Sequence, residues 1–100
     1  MKEITVTELS TLTDPVVIDV REPWEYEAGH VPGTTPIPMG EVVTRIGEIP
    51  VDVPVHVICA AGGRSAQVAE YLAAHGHDAV NIAGGTGAWQ QAGFATEQGA

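Results

Sequence analysis

The residue best suited to do chemistry is Cys59, the single cysteine of the chain. It follows the apolar run Val55–Ile58, which predicts a buried strand, and it precedes a short segment of small residues and two glycines. Glycines let backbone N–H groups turn toward one point, and the start of the next helix adds a partial positive charge. A cysteine at that point is expected to favour the thiolate, which is the nucleophilic form.

The same donors would also hold a terminal persulfide sulfur or the oxygens of a thiosulfonate, since both are negatively charged. Arg64 adds a permanent positive charge at the far end of the segment. Considered alone, a lone cysteine after a strand is more often an inert core residue. The reactive interpretation is favoured because a plain turn does not require Gly62, Gly63 and a cation beside a thiol.

The elements that must position Cys59 alternate between strands and helices, a pattern typical of α/β units around a parallel sheet. The predicted strands are Ile4–Val6, Val16–Ile18, a short edge strand around Thr35–Ile37, Val55–Ile58 and Ala79–Ile82. The predicted helices are a brief one from an N-cap at Thr7 to about Leu12, one from Glu22–Trp24 to a left-handed C-cap at Gly29, and the segments Glu41–Ile46, Arg64–His75 and Gly85–Ala92. Ligands bind at the carboxyl ends of such strands, where Cys59 is placed.

Composition limits the class of protein and its partners. The length of 100 residues suits one domain, and a hydrophobic share of 44% with 17% charged residues is typical of a globular chain. The net charge of -9 makes nucleic acid and anionic membranes unlikely partners. One cysteine, no signal-like segment and no membrane-spanning run together predict a cytoplasmic protein. The histidines lack a metal-ligand pattern.

Four short motifs, in order along the chain, resemble the rhodanese-like family. They are Ile18-Asp19-Val20-Arg21-Glu22 with Trp24-Glu25-Tyr26, Gly29-His30-Val31-Pro32-Gly33, the loop Cys59-x-x-Gly62-x-Arg64-Ser65, and Gly84-Gly85 followed by Trp89. The resemblance covers about residues 4–94. It implies one domain with a three-layer α/β/α fold, whose five-stranded parallel sheet has the strand order 1-5-4-2-3.

The resemblance also implies a sulfurtransferase. Cys59 would accept a sulfane sulfur from a small donor, thiosulfate or a persulfide, and would pass it to cyanide or to a thiol. The substrate-binding loop would consist of Ala60, Ala61, Gly62, Gly63, Arg64 and Ser65. Because the sulfur is carried by the protein's own cysteine, no metal or organic cofactor is implied. An external thiol, from a small molecule or a protein, must then release it.

Other functions remain open at this point. Many family members have a basic or aromatic residue directly after the cysteine and a hydroxyl residue next, whereas this chain has Ala60 and Ala61. The change favours a persulfide donor over thiosulfate, and it also suits a non-catalytic module that binds a partner. A redox-sensing thiol that takes glutathione is a further interpretation. A phosphatase is disfavoured because four residues separate Cys59 from Arg64, whereas the related cell-cycle phosphatases have five.

Asp19 and Arg21 are candidates for supporting roles because they flank the end of the second predicted strand, near the Cys59 loop. Asp19 is expected either to accept hydrogen bonds from the loop backbone or Ser65, or to pair with Arg21 or Lys2 at the surface. The sequence does not favour one of these two arrangements over the other.

Glu25, His30 and Trp89 are the other supporting candidates. Glu22 and Glu25 are placed to hold Arg21 or Arg64, although acidic residues are also favoured at a solvated helix start by the helix dipole. For His30 a structural role in the turn is favoured over a general base, since transfer to a preformed thiolate requires no proton abstraction. Trp24 and Trp89 are predicted to be core or loop-supporting aromatics.

Overall fold

A five-stranded parallel sheet forms the centre of the protein in the computed structural model, which describes residues 1–100. The strands are β1 (Lys2–Ile4), β2 (Val16–Asp19), β3 (Thr35–Pro36), β4 (Pro54–Ile58) and β5 (Asp78–Ile82). Their order is β1-β5-β4-β2-β3, with every neighbouring pair parallel. The predicted strand order is confirmed, and β3 is the short edge strand that the prolines predicted.

Helices cover both faces of this sheet. They are α1 (Val6–Ser10), α2 (Pro23–Ala28), α3 (Gly63–Ala74) and α4 (Gly85–Gln91). One apolar cluster joins the sheet to α3, and a second joins the opposite face to α1 and α4. Successive residues of β4 divide between them, since Val57 belongs to the first cluster and Ile58 to the second. The three-layer α/β/α fold is therefore confirmed. No helix is both long and apolar enough to cross a bilayer.

The first helix begins earlier than the sequence predicted, because Thr5 rather than Thr7 is its N-cap. The Thr5 hydroxyl accepts a hydrogen bond from the Glu8 N–H at 3.1 Å, and the Glu8 carboxylate accepts one from the Thr5 N–H at 3.0 Å. Thr7 has a serine three residues later and cannot form this reciprocal capping box. The cap also ends β1 at Ile4, so the predicted strand Ile4–Val6 is wrong in its bounds.

The predicted helix Glu41–Ile46 is also wrong, since two short 3₁₀ turns, Met39–Glu41 and Ile46–Glu48, take its place. Both turns contain a glycine, and the β-branched run Val42–Thr44 lies between them. Glycine and β-branched residues both disfavour a continuous α-helix.

The chain leaves α2 in an extended conformation. Gly29 has φ 164° and ψ 129°, where a left-handed C-cap was predicted. The reason lies in the next residue, which forms an antiparallel bridge with the C-terminal segment. The His30 N–H donates to the Glu97 carbonyl at 2.8 Å, and the Glu97 N–H donates back at 2.9 Å.

Candidate active site

Cys59 directly follows β4 and lies at the carboxyl edge of the sheet, with 1% of the residue exposed. Its sulfur is 3.1 Å from the Gly62 N–H nitrogen, 3.3 Å from the Ser65 N–H nitrogen and 3.3 Å from the Ser65 hydroxyl oxygen. The loop can turn these amides inward because Gly62 has φ 106°, a left-handed conformation that glycine adopts without steric cost. The structure thus brings several residues of the predicted loop around one sulfur.

These contacts change the acidity of Cys59. Burial raises the pKa of the thiol, but hydrogen bonds from the Ser65 hydroxyl and from the N–H groups of Ser65, Gly62 and Ala61 together lower it further than burial raises it. The net pKa is therefore below that of an ordinary cysteine. A lowered pKa increases the thiolate fraction near neutral pH, and the thiolate is the form that attacks electrophilic sulfur.

The start of α4 supports the loop from its outer side. The Thr86 N–H donates to the Cys59 carbonyl at 2.9 Å, and the Gly87 N–H donates to the Ala60 carbonyl at 3.0 Å. A Cβ atom on Gly85 would lie 2.2 Å from the Cys59 carbonyl oxygen, so only glycine allows this close approach. Because α4 binds these two carbonyl groups, the loop is fixed with its amides facing the sulfur.

Arg64 pairs with Glu25 and makes no hydrogen bond to the sulfur. Two N···O distances of 2.8 and 3.0 Å join the guanidinium to the carboxylate. The hydrogen bonds from Arg64 hold the pKa of Glu25 at about 2, and the same bonds raise the pKa of Arg64. The pair connects α2 to the first turn of α3, so Glu25 holds Arg64 at the rim of the site.

Asp19 contacts Arg21 and not the loop around the sulfur. The Arg21 Nε and Nη2 atoms lie 3.0 and 2.9 Å from the carboxylate oxygens, and Nη2 also donates to the Gly29 carbonyl at 2.9 Å. Both side chains are buried. Of the two predicted arrangements for Asp19, the pairing with Arg21 is found, but the pair is buried rather than at the surface, and Arg21 is also bound to the Gly29 carbonyl.

Asn81 of β5 is the site residue that the sequence analysis missed. Its Oδ1 atom is 2.6 Å from the Ser65 hydroxyl oxygen, and its Nδ2 atom is 3.3 Å from the Gly62 carbonyl. A signal was present, because Asn81 interrupts the otherwise apolar run Ala79–Ile82. A polar side chain in a buried strand must find hydrogen-bond partners, and here it finds them in the loop.

His30 and Trp89 support other parts of the structure. The His30 ring stacks on Tyr26 with centroids 3.7 Å apart, and its Nδ1 atom lies 2.8 Å from the Tyr26 carbonyl. Trp89 Nε1 donates to the Ala95 carbonyl at 2.8 Å and so anchors the C-terminal segment. Trp24, by contrast, is 71% exposed. The prediction of a core or supporting role is wrong for Trp24, since α2 buries Tyr26 instead.

Comparison with known proteins assigns the chain to a family. The model of the rhodanese-like domain matches residues 5–92. This chain belongs to the rhodanese-like family. It is 36% identical over 87 residues to a protein named sulfurtransferase from Allochromatium vinosum, with 86% of this chain and 81% of the relative covered.

Two further comparisons agree with this assignment. The chain is 34% identical over 86 residues to thiosulfate sulfurtransferase GlpE of Pseudoalteromonas translucida, with 85% of this chain and 82% of that protein covered. The crystal structure of a rhodanese-related protein from Thermoplasma volcanium matches with a TM-score of 0.92 at 31% identity. That match covers 97% of this chain and 98% of the other.

The loop residues of this rhodanese-like domain differ in exposure, while Cys59 itself is buried. None of the surface cavities in the structure is lined by Cys59. Ala61 and Gly63 of the loop are exposed, whereas the sulfur lies beneath them.

Proposed function

We propose that this rhodanese-like domain is a sulfurtransferase that carries a sulfane sulfur on Cys59. The observation that carries the proposal is the set of donors around its sulfur, two backbone N–H groups and the Ser65 hydroxyl, all within 3.3 Å. Together they lower the pKa of a thiol that burial alone would keep protonated. The names of two relatives, both sulfurtransferases, agree with this chemistry.

The transfer takes two displacement steps on sulfur. The Cys59 thiolate attacks the sulfane sulfur of the donor, so a new S–S bond forms while the donor's bond to that sulfur breaks. Thiosulfate would leave as sulfite, and a persulfide would leave as its parent thiol. An external thiolate or cyanide then attacks the outer sulfur, takes it, and returns the electron pair to Cys59. The chain has no second cysteine, so the acceptor must come from outside.

The charges of the chain favour a persulfide donor over the thiosulfate dianion. Every basic side chain is paired with at least one carboxylate: Lys2 with Asp78, Arg21 with Asp19, Arg45 with Glu41 and Glu48, and Arg64 with Glu25. Ala60 and Ala61 offer no side-chain donors. No lysine or arginine is therefore free to bind the sulfonate oxygens of thiosulfate, whereas the net charge of -9 repels thiosulfate and an anionic persulfide alike.

The test is the intact mass of the protein after incubation with thiosulfate or with glutathione persulfide. We expect a gain of one sulfur atom that a thiol reverses, and no gain in the Cys59→Ser variant. If neither donor gives a Cys59-dependent gain, the proposal fails.

The mass measurement separates a redox-sensing thiol from a sulfurtransferase, and a binding assay separates a partner-binding module from both. A redox-sensing thiol would instead accumulate a glutathione mixed disulfide that outlasts any persulfide. A partner-binding module would bind its partner equally well after Cys59→Ser.

A further inference from the structure

One hydroxyl proton in the site faces two acceptors. The Ser65 Oγ atom lies 2.6 Å from Asn81 Oδ1 and 3.3 Å from Cys59 Sγ. A serine hydroxyl has a single proton and donates it to one acceptor at a time. Ser65 is 0% exposed, Cys59 1% and Asn81 2%. Bulk water therefore cannot donate a hydrogen bond to the acceptor that Ser65 does not reach. The two acceptors therefore compete.

The orientation of the Asn81 amide follows from its other partners. Nδ2 lies 2.9 Å from a Glu3 carboxylate oxygen and 3.3 Å from the Gly62 carbonyl. Both partners only accept hydrogen bonds, so the amide nitrogen must face them and Oδ1 must face Ser65. Glu3 is also directly opposite Asn81 in the pairing of β1 with β5, which keeps the two side chains together.

We propose that Asn81 is a positioning residue that competes with the Cys59 sulfur for the hydroxyl proton of Ser65. When Cys59 is a thiolate, the hydroxyl turns to the sulfur. When Sγ is bonded to a proton or to a sulfane sulfur, it no longer carries the charge, and the hydroxyl turns to Asn81. Ser65 thus has an acceptor in every state of the site, and no buried hydroxyl is left unpaired as sulfur arrives and leaves.

The competition has a consequence that a purely structural role does not share. Removal of the Asn81 oxygen takes away the acceptor of the Ser65 hydroxyl in the thiol state, and this favours the thiolate, which still accepts from Ser65. If Asn81 merely braced the loop through Gly62, its removal would loosen the donors around the sulfur and disfavour the thiolate. The sign of the change therefore distinguishes the two roles.

The test is a pH titration of the Cys59 thiolate by its ultraviolet absorbance, with Cys59→Ser as the blank. We expect Asn81→Ala to lower the midpoint by about half a pH unit, which is roughly a threefold gain in thiolate below the midpoint. Ser65→Ala should raise the midpoint. The double variant Ser65→Ala/Asn81→Ala should have the same midpoint as Ser65→Ala alone, because no hydroxyl is left to compete for. A midpoint that rises in Asn81→Ala, or that falls equally in both backgrounds, would overturn the proposal.

Glu3 offers a second test if Asn81→Ala does not fold, since it lies on the exposed edge strand. Glu3→Gln removes the charge but keeps an acceptor oxygen for Asn81, whereas Glu3→Ala removes both. We expect a lower midpoint in Glu3→Ala than in Glu3→Gln, because the amide is then no longer held toward Ser65. Equal midpoints would count against the competition.

The role of Asn81 in turnover rests on the proposed function, but the titration concerns the resting thiol. A protein that takes up no sulfur from any donor would refute the sulfurtransferase proposal alone. The midpoints of the variants would still decide whether Asn81 competes for the proton.

Discussion

Two strand-to-helix turns at the same edge of the sheet use one backbone conformation for different purposes. The turn between β4 and α3 and the turn between β5 and α4 each place a left-handed glycine before the helix, Gly62 with φ 106° and Gly84 with φ 76°. In the first turn the inward amides reach the Cys59 sulfur. In the second, the first amides of α4 reach the carbonyls of Cys59 and Ala60. An anion site therefore forms in one turn because the other turn holds it in place.

The glycines that follow show the same difference. A Cβ atom on Gly63 would meet nothing within 4 Å, whereas one on Gly85 would lie 2.2 Å from a backbone oxygen. Both turns have the sequence Gly-Gly, so the sequence pattern alone does not reveal which turn carries the chemistry and which one supports it. The cysteine that precedes the first pair is what distinguishes them.

The largest effect is expected from Gly85→Ala, which forces a side chain against the Cys59 loop. Gly85 also has φ +58°, so the substitution combines backbone strain with a clash, and we expect a loss of roughly 3 kcal/mol or more in the free energy of unfolding. Gly93→Ala is the matched control, since Gly93 has φ +84° and open space around it. It should cost only about 1 kcal/mol in a urea titration. Equal losses would contradict the supporting role of the second turn.

Ala60→Lys alters the charge of the first turn. A free cation beside the sulfur should attract the thiosulfate dianion and raise its rate of reaction with Cys59 by about fivefold to tenfold at low salt. The gain should shrink as salt is added. Ala60→Met has a side chain of similar length without charge and should leave the rate unchanged. A rise of equal size in both variants would show that the lack of a free positive charge does not limit the rate of reaction with thiosulfate.

The smallest effect is expected at the Arg64–Glu25 pair, which connects the first turn to α2. The pKa of Glu25 is depressed from 4.5 to about 2, so the pair stabilises the fold above pH 4.5 and loses this effect as the pH falls toward 2. Glu25→Gln should lower the free energy of unfolding by about 1 kcal/mol at neutral pH, and the difference should fade as the pH falls through about 2, the pKa of Glu25 in the folded state. Glu27→Gln, on the same helix but without an arginine partner, is the control and should leave the free energy of unfolding at neutral pH nearly unchanged. A difference as large at pH 2 as at neutral pH would contradict the ion pair.

The sheet could be predicted because its signals are local or ordered along the chain. Buried strands such as β4 are continuous apolar runs, and the order of the motifs led to the family and hence to the strand order. The Cys59 loop was also visible, since its glycines adjoin the cysteine in sequence.

Features that depend on competition or on register could not be read from the sequence. Thr5 and Thr7 are both acceptable caps by residue type, and Glu8 decides between them. The contact of Asn81 with Glu3 joins residues 78 apart through the β1–β5 register. That Trp24 is exposed depends on which face α2 turns toward the sheet, and a helix of six residues gives too little periodicity to tell.

The most direct test of the account is the rate of Cys59 alkylation by iodoacetamide as a function of pH. Cys59 is the sole cysteine, so the unfolded chain in urea serves as the reference without any substitution. The account predicts that the folded protein is alkylated with a midpoint below that of the unfolded chain, because the amides of Gly62 and Ser65 stabilise the thiolate. A folded-state midpoint at or above the unfolded one, or a thiol that resists alkylation well above neutral pH, would contradict it.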